Sequence, residues 1–474
     1  MSEEICFYDA TELAERIGSK ALSPVEVVNA FLERIESVNP GLNAIVTLAD
    51  EATERARQAE AAVMRGESWG PLHGVPFTIK DCIDTGGIRT TRGSRLFDQH
   101  VPDADATVVS RLKAAGGILI GKTNMPEFAL WWETDNLVFG RTENPWKGGR
   151  TPGGSSGGEA AAIASGLSPL GVGSDLGGSI REPAHYCGIV GLKATHGRIP
   201  LTGHWPETLL RFMHVGPMAR TVRDIALSLS VLSGVDGRDH YAVPLPAPDV
   251  TDLGAPLPKL RVGWCVDGPF APVSSDVRET VERAASSLEE LGCQVEPVAL
   301  QSWEELGPQE ISAVIITAEG AHYLEPIIAG RDDQLSPRMR RRLRFPSPTL
   351  QEYMEAISRH EAFREATLHY FSDRDLLLCP TGPVPAHPHD SKDLVVGDRI
   401  VPGRNALSAT IPANLTGSPA ISVPFGWSQE GLPIGVQLIG RHFDEATVLR
   451  AASALEALSA HHRPRPLVDS ASRG

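Results

Sequence analysis

Residues 151–195 read TPGGSSGGEAAAIASGLSPLGVGSDLGGSIREPAHYCGIVGLKAT, and two glycine–serine loops inside this stretch organise what surrounds them. Gly153-Gly154-Ser155-Ser156-Gly157-Gly158 runs into Glu159-Ala160-Ala161-Ala162-Ile163. Such small residues let the chain turn sharply and let the following helix lie close to a sheet. The apolar run 170–173 reads as a buried strand, and Asp175-Leu176-Gly177-Gly178-Ser179 leaves it. Unhindered backbone N–H groups ahead of a serine make a ready oxyanion site. Residues 189–192 then read as a further buried strand.

The same alternation continues outward. Ser23-Pro24-Val25-Glu26 has the form of a capping box with proline at the first helical position. Val28, Phe31, Ile35 and Val38 follow at helical spacing, and Asn39-Pro40-Gly41 predicts the stop. Residues 75–79 alternate as a strand, and short apolar runs at 117–120, 260–265, 376–379, 420–424 and 433–439 predict others. Amphipathic patterns at 105–115, 221–233, 276–291 and 445–459 predict helices between them. Strand–helix alternation implies an α/β fold: a mixed, mostly parallel β-sheet covered by α-helices on both faces. The last two strands, joined by residues 427–432, predict an antiparallel hairpin. The Pro-rich stretch 242–260 reads as a surface crossing and not as a domain break. One domain over 1–474 is expected, with a core at about 73–200, peripheral helices in 1–70 and a C-terminal α/β portion at 255–460.

Composition narrows the function. The 474 residues are 41% hydrophobic and 22% charged, which is globular. With 44 Lys+Arg against 59 Asp+Glu the net charge is −15, a sign that argues against a nucleic-acid grip as the main task. Cys6, Cys82, Cys187, Cys265, Cys293 and Cys379 form no CxxC pair, which suggests neither a disulfide framework nor a zinc site and fits a reducing, cytoplasmic setting. The acidic start lacks the pattern of a signal peptide, and no apolar run reaches spanning length.

Three chemistries compete for the glycine–serine loops. A phosphate cradle lacks GxxxxGK[ST] and a favourable charge. Gly153-Gly154-Ser155-Ser156-Gly157 fits G-x-S-x-G, but that elbow must leave a strand, and residues 148–152 make a poor one. A serine hydrolase with a lysine base needs a lysine that can lose its charge. Lys80 closes the strand in His73-Gly74-Val75-Pro76-Phe77-Thr78-Ile79-Lys80-Asp81, at a strand end where α/β sites form. Burial would lower its pKa toward neutrality. On position alone it reads as an exposed lysine; the glycine–serine loops reverse that.

These motifs resemble the amidase signature family. LHGVPFTIKD, TPGGSSGGEAAA, GSDLGGSIREPA and CGIVGLKAT occur in family order, and Thr123–Phe128, Gly216–Arg220, Asn414–Gly417 and Gly435–Gly440 extend the resemblance over about 5–460. The resemblance implies a serine–serine–lysine triad. Ser179 would be the nucleophile, Ser155 the bridging serine on a cis peptide, and Lys80 the general base. The N–H groups of Leu176, Gly177, Gly178 and Ser179 would hold the oxyanion, with Ser156, Asp175 and Arg181 as supports. No metal or organic cofactor is implied.

Other signals carry less. Ser110-Arg111-Leu112-Lys113 fits S-x-x-K without its companion motifs. His387-Pro388-His389-Asp390 has no further ligand cluster, the basic run 338–344 reads as a solvated helix face, and Cys187 reads as a packed thiol. Trp131, Trp132, Leu210, Arg211 and Phe212 are candidate pocket residues for a hydrophobic or aromatic substrate. Within the family, the A subunit of glutamyl-tRNA(Gln) amidotransferase, which needs partner subunits, is the alternative. Leu209–Val215 departs from that subunit's Ser-Ser-Leu-Asp-Gln-like segment, and Glu159 stands where it more often has serine. The sequence reading therefore favours a stand-alone cytoplasmic amidohydrolase, resembling aryl acylamidases, fatty-amide hydrolases or urethanases. It would act on small amides, esters or carbamates as a monomer or homodimer, without nucleic acid or a membrane span. A catalytically silent scaffold is the reading from another class, and the complete triad gives it no support.

Overall fold

The computed structural model describes residues 2–250, 252–270, 272–459 and 465–466. Eleven strands form its main sheet: β1 (Ile45–Leu48), β2 (Pro76–Lys80), β3 (Ile118–Thr123), β4 (Leu170–Asp175), β5 (Val190–Lys193), β6 (His214–Ala219), β7 (Arg261–Trp264), β8 (Gln294–Pro297), β9 (Leu376–Pro380), β10 (Ala420–Trp427) and β11 (Pro433–Gly440). Their order across the sheet is β1-β3-β2-β4-β6-β5-β10-β11-β9-β7-β8. Parallel pairs join β3, β2 and β4 on one flank and β9, β7 and β8 on the other. Every pairing between those groups, and β1 with β3, is antiparallel. The expected mixed α/β sheet is present, with parallel pairing gathered on the flanks. A short connection explains one of these antiparallel pairs: β10 and β11 are joined by five residues, too few for a parallel crossover.

The amphipathic patterns become helices Thr107–Ala114, Val222–Leu232, Ser275–Glu290 and Glu445–Ser459. Helix Pro24–Leu42 starts on Ser23, whose hydroxyl accepts from the N–H of Val25 at 3.0 Å. It does not stop at Pro40 as the sequence suggests. It runs to Leu42 and ends on Asn43 in the left-handed region, while the Asn39 side chain accepts from the N–H groups of Ala44 and Ile45. Strand β6 has no counterpart in the sequence reading, because Gly216-Pro217 looks like a break. The structure accommodates the proline where the ladder ends: β5 pairs with Ala219 and Met218 and no further.

This sheet sets up the site. In the parallel pair β2–β4, Thr78 lies opposite Gly171 and Ile79 opposite Val172. Continued by one residue, that register sets Lys80 opposite Gly173, so the carboxyl ends of the two strands gather Lys80, Ser174 and Asp175 where open α/β sheets place their ligands. Helix Gly157–Ala164 is buried along its whole length against these strands, which explains its glycine and alanine composition.

Glu159 is the one acid on that buried helix. Its carboxyl accepts from the Thr78 hydroxyl and, at 2.8 Å, from the Thr123 hydroxyl. Burial raises it to about 7, with the two hydroxyls pulling the other way. A carboxyl raised in the fold stabilises most below its ordinary pKa near 4.5, and that contribution is lost as pH rises through about 7. Glu159→Gln keeps the shape without the charge. It is expected to gain about 2–3 kcal/mol over wild type at pH 8, with the gain shrinking toward pH 5, by thermal unfolding at both values. Equal gains or losses at the two pH values would show that the carboxyl is not held neutral.

Candidate active site

Lys80 Nζ lies 2.6 Å from Ser155 Oγ and 3.0 Å from Ser174 Oγ. The Ser156 N–H donates to the Ser179 carbonyl at 3.1 Å, which ties the first glycine–serine loop to the second. The Gly154–Ser155 peptide is cis. Lys80 is fully buried, Ser155 is 1% exposed and Ser179 8%, so access to solvent increases from the amine to the outer serine. Burial lowers the Lys80 ammonium to about 8 against the field of the acids around it. A neutral amine there can accept a proton from Ser155 and donate to Ser174. Ser174 was missed in the sequence, although it sits one residue before the end of the strand that precedes the second loop.

Ser156 Oγ accepts from the Ser174 N–H and donates to the Ser174 carbonyl, both at 3.3 Å, pinning its loop to β4. Asp175 and Arg181 form a fully buried pair, with Arg181 Nε and Nη2 donating to the two carboxylate oxygens at 3.0 and 2.9 Å. Asn414 Nδ2 donates to Asp175 Oδ1 at 2.8 Å, and Arg181 reaches on to Gln437 Oε1, Asn414 Oδ1 and the Thr410 carbonyl. Burial alone would raise the Asp175 carboxyl; Arg181, then Asn414, more than reverse this and hold it at about 2.

Asp175 also corrects the expected oxyanion donors. Its Oδ1 accepts the Gly178 N–H at 2.8 Å and its Oδ2 the Ile180 N–H at 3.1 Å. The Gly178 N–H is thus committed to the loop's own anchor, which leaves Leu176, Gly177 and Ser179 as the candidate backbone donors. Gly178 is required instead for its shape: at φ +135° only glycine is comfortable, and a Cβ would strike the Thr410 hydroxyl.

The candidate pocket residues separate into two groups. Phe212 is buried and lines an apolar crevice with Leu176, Ser312, Ile315, Ile316 and Leu415. Leu210 packs against the main core, and Arg211 is an ion pair with Glu319, which also accepts from the Tyr353 hydroxyl at 2.7 Å. Trp131 and Trp132 stack with ring centroids 3.8 Å apart, and their backbone presses on Gly154. The crevice wall on helix Pro308–Ile328 was missed; its Ile315-Ile316 pair was the available signal.

The weaker signals take other roles. His387 Nδ1 donates to the Pro388 carbonyl at 2.9 Å, whereas His389 meets Glu143 at 3.2 Å, so the two imidazoles do not converge. Arg338 is not simply solvated: it pairs with Glu133 and Asp390 and lies over the Trp131 ring. The Cys187 thiol is buried, donates to the Pro152 carbonyl, and is pushed well up by burial. No helix among the described residues is long and apolar enough to cross a membrane.

Residues 26–449 match the Amidase family. The chain is 39% identical over 491 residues to the A subunit of glutamyl-tRNA(Gln) amidotransferase from Moorella thermoacetica, covering 98% of this chain and 99% of that one. Its counterpart in Geobacillus kaustophilus is 36% identical, over 97% and 99% of the two chains. Among solved structures, a bacterial aryl acylamidase of the amidase signature family superposes with a TM-score of 0.87 at 29% identity, over 97% of this chain and 100% of that one. The amidotransferase A subunit from Thermotoga maritima superposes at 0.75 with 30% identity, over 99% and 98%. These relatives overturn two expectations: the stand-alone hydrolase of aryl amides, esters or carbamates, and the partner-free monomer or homodimer without nucleic acid. The two departures that favoured them are largely interior choices. Glu159 sits in the core with two threonines, and Leu209, Phe212 and Met213 are buried. Neither weighs against an alignment that covers 98% of the chain at 39% identity.

Proposed function

The chain belongs to the amidase family, whose chemistry is cleavage of amide C–N bonds, and from that premise we propose that it is the amide-opening subunit of a glutamyl-tRNA(Gln) amidotransferase. The whole-length likeness to the A subunits of such enzymes carries this reading, and the lysine–serine geometry supplies its chemistry. Ser179 Oγ attacks the carbon of a free carboxamide such as glutamine's while its proton passes to Ser155, whose own proton moves to Lys80 Nζ. The N–H groups of Leu176, Gly177 and Ser179 stabilise the negative oxygen. The proton returns through Ser155 to the leaving nitrogen, the C–N bond breaks and ammonia departs, leaving an acyl-serine that water hydrolyses. Partner subunits would use the ammonia to amidate glutamyl-tRNA(Gln), which places the work in the cytoplasm and assigns tRNA contact to the assembly and not to this acidic chain alone.

The test is reconstitution of this chain with the other amidotransferase subunits from the same genome, using L-glutamine and glutamyl-tRNA(Gln). Glutamine-dependent formation of glutaminyl-tRNA(Gln), lost in Ser179→Ala, is expected. A chain that associates with none of those subunits and forms no glutaminyl-tRNA would overturn the assignment.

A further inference from the structure

Behind the Ser155 loop lie buried polar groups that the reaction above does not use. Glu182 Oε2 accepts the Gly154 N–H at 2.9 Å. On the other side, the Thr134 hydroxyl donates to the Gly153 carbonyl at 2.8 Å, and the backbone of Trp131–Glu133 leaves no room for a Cβ on Gly154. Glu182 therefore supplies the side-chain acceptor that fixes the N–H of Gly154, the residue before Ser155. Ser155 Oγ must stay within hydrogen-bond distance of Lys80 Nζ, and a displacement of about 1 Å in such a relay can cost on the order of 100-fold in rate.

The surroundings of Glu182 are unsuited to an anion. The side chain is fully buried, and among the described residues no cation bonds to it. The groups facing it are Glu133, already paired with Arg338, Asp175, held by Arg181, and the phenol of Tyr186, with the Cys187 thiol next along its own helix. His387 lies beyond, its Nδ1 3.9 Å from Glu133 Oε1 and its ring edge-on to Tyr186. Glu182 Oε1, Glu133 Oε1, the Tyr186 hydroxyl and His387 Nε2 are all buried and make no hydrogen bond in the structure. Burial pushes the Glu182 carboxyl well above its ordinary range; the Gly154 N–H opposes this, and Glu133 and Asp175 add to it. A bare carboxylate in this interior would be costly, whereas a carboxylic acid keeps one acceptor for Gly154 and carries its proton on the other oxygen.

We propose that Glu182 is a positioning residue for the bridging serine, acting as a neutral acid that holds the Gly154 N–H and so keeps Ser155 in register with Lys80. This rests on the serine–serine–lysine reading above. A neutral Glu182 also adds no anion to the interior that would favour the ammonium form of Lys80.

Covalent labelling of the folded chain by a fluorophosphonate tests the idea without requiring the natural substrate. Glu182→Gln preserves a neutral acceptor of the same shape, and its maximal labelling rate is expected within about twofold of wild type. Glu182→Leu removes the acceptor, and its maximal rate is expected to fall by roughly 10- to 100-fold with the half-saturating probe concentration unchanged. A folded leucine variant that labels at the wild-type rate overturns the proposal. So does a glutamine variant that loses labelling, whether or not the leucine variant folds, because an anion would then be required. Failure of the underlying reading has a different signature: labelling that persists in Ser179→Ala, independent of Glu182.

Discussion

Alanine at Ser179 is expected to lower amide hydrolysis by about 10⁴- to 10⁶-fold while leaving the melting temperature close to that of wild type. The side chain is small, lies at the most open point of the triad and anchors nothing in the core, so its loss removes chemistry and not packing. The supporting observation is the path inward from it. Ser155 stands 2.6 Å from a lysine with no solvent contact, and burial lowers that lysine to about 8. The same lowering fixes the sign of the pH dependence. Only the neutral amine can take a proton, so the rate of acyl-enzyme formation should rise with pH through about 8 and fall roughly tenfold per unit below it. Lys80→Arg, which cannot lose its charge near neutrality, should be as inactive as the alanine variant at every pH. Stopped-flow release of ammonia across the neutral and alkaline range checks all three. A wild-type rate that stays flat down to pH 5 would rule out Lys80 as the base.

The parts of this site that were legible in the sequence are those encoded in contiguous residues. Two glycine–serine loops, a strand ending in lysine and an apolar hairpin near the C-terminus each announce themselves within about ten residues. What the sequence hid depends on which partner a group finds across the fold. The Gly178 N–H looks like an oxyanion donor until Asp175 is seen to hold it. Glu182 looks like an ordinary helix acid until its oxygen is found on Gly154. Strand β6 was obscured because Gly216-Pro217 is a local break signal, and only the end of the β5 ladder at Met218 makes the proline tolerable. The functional misreading had a similar origin. Two local departures, at Glu159 and at residues 209–215, look like specificity determinants in the sequence, yet Glu159 packs the core and most of 209–215 is buried. The likeness to the amidotransferase relatives is an overall identity of 39% taken over 98% of the chain, a quantity that no single motif displays.

The second large effect concerns stability and the oxyanion loop together. Arg181→Met should destabilise the fold by about 3–5 kcal/mol, because it strands Asp175 as a buried charge. In wild type the Asp175 carboxyl is held at about 2, below its ordinary 3.8, so its contribution is present above the ordinary value and lost as pH falls through about 2. Without Arg181 the burial that already opposes ionisation dominates, the carboxyl rises, and the variant's deficit should widen as pH increases from acid toward neutral. Asp175→Asn should cost less, since Arg181 keeps acceptors at the Thr410 carbonyl, Gln437 and Asn414. The double variant should be less destabilised than the sum of the singles, because neither charge is left alone. Activity should fall further than stability explains. Asp175 draws in the N–H groups of Gly178 and Ile180, which flank Ser179, and a loop released from it no longer presents Leu176, Gly177 and Ser179 toward one point. Unfolding curves for the four proteins at acid and neutral pH, with ammonia release measured on the folded fraction, decide the matter. Additive single effects would mean that the pair does not act as a unit, and a folded Arg181→Met with wild-type turnover would mean that the loop holds its shape without it.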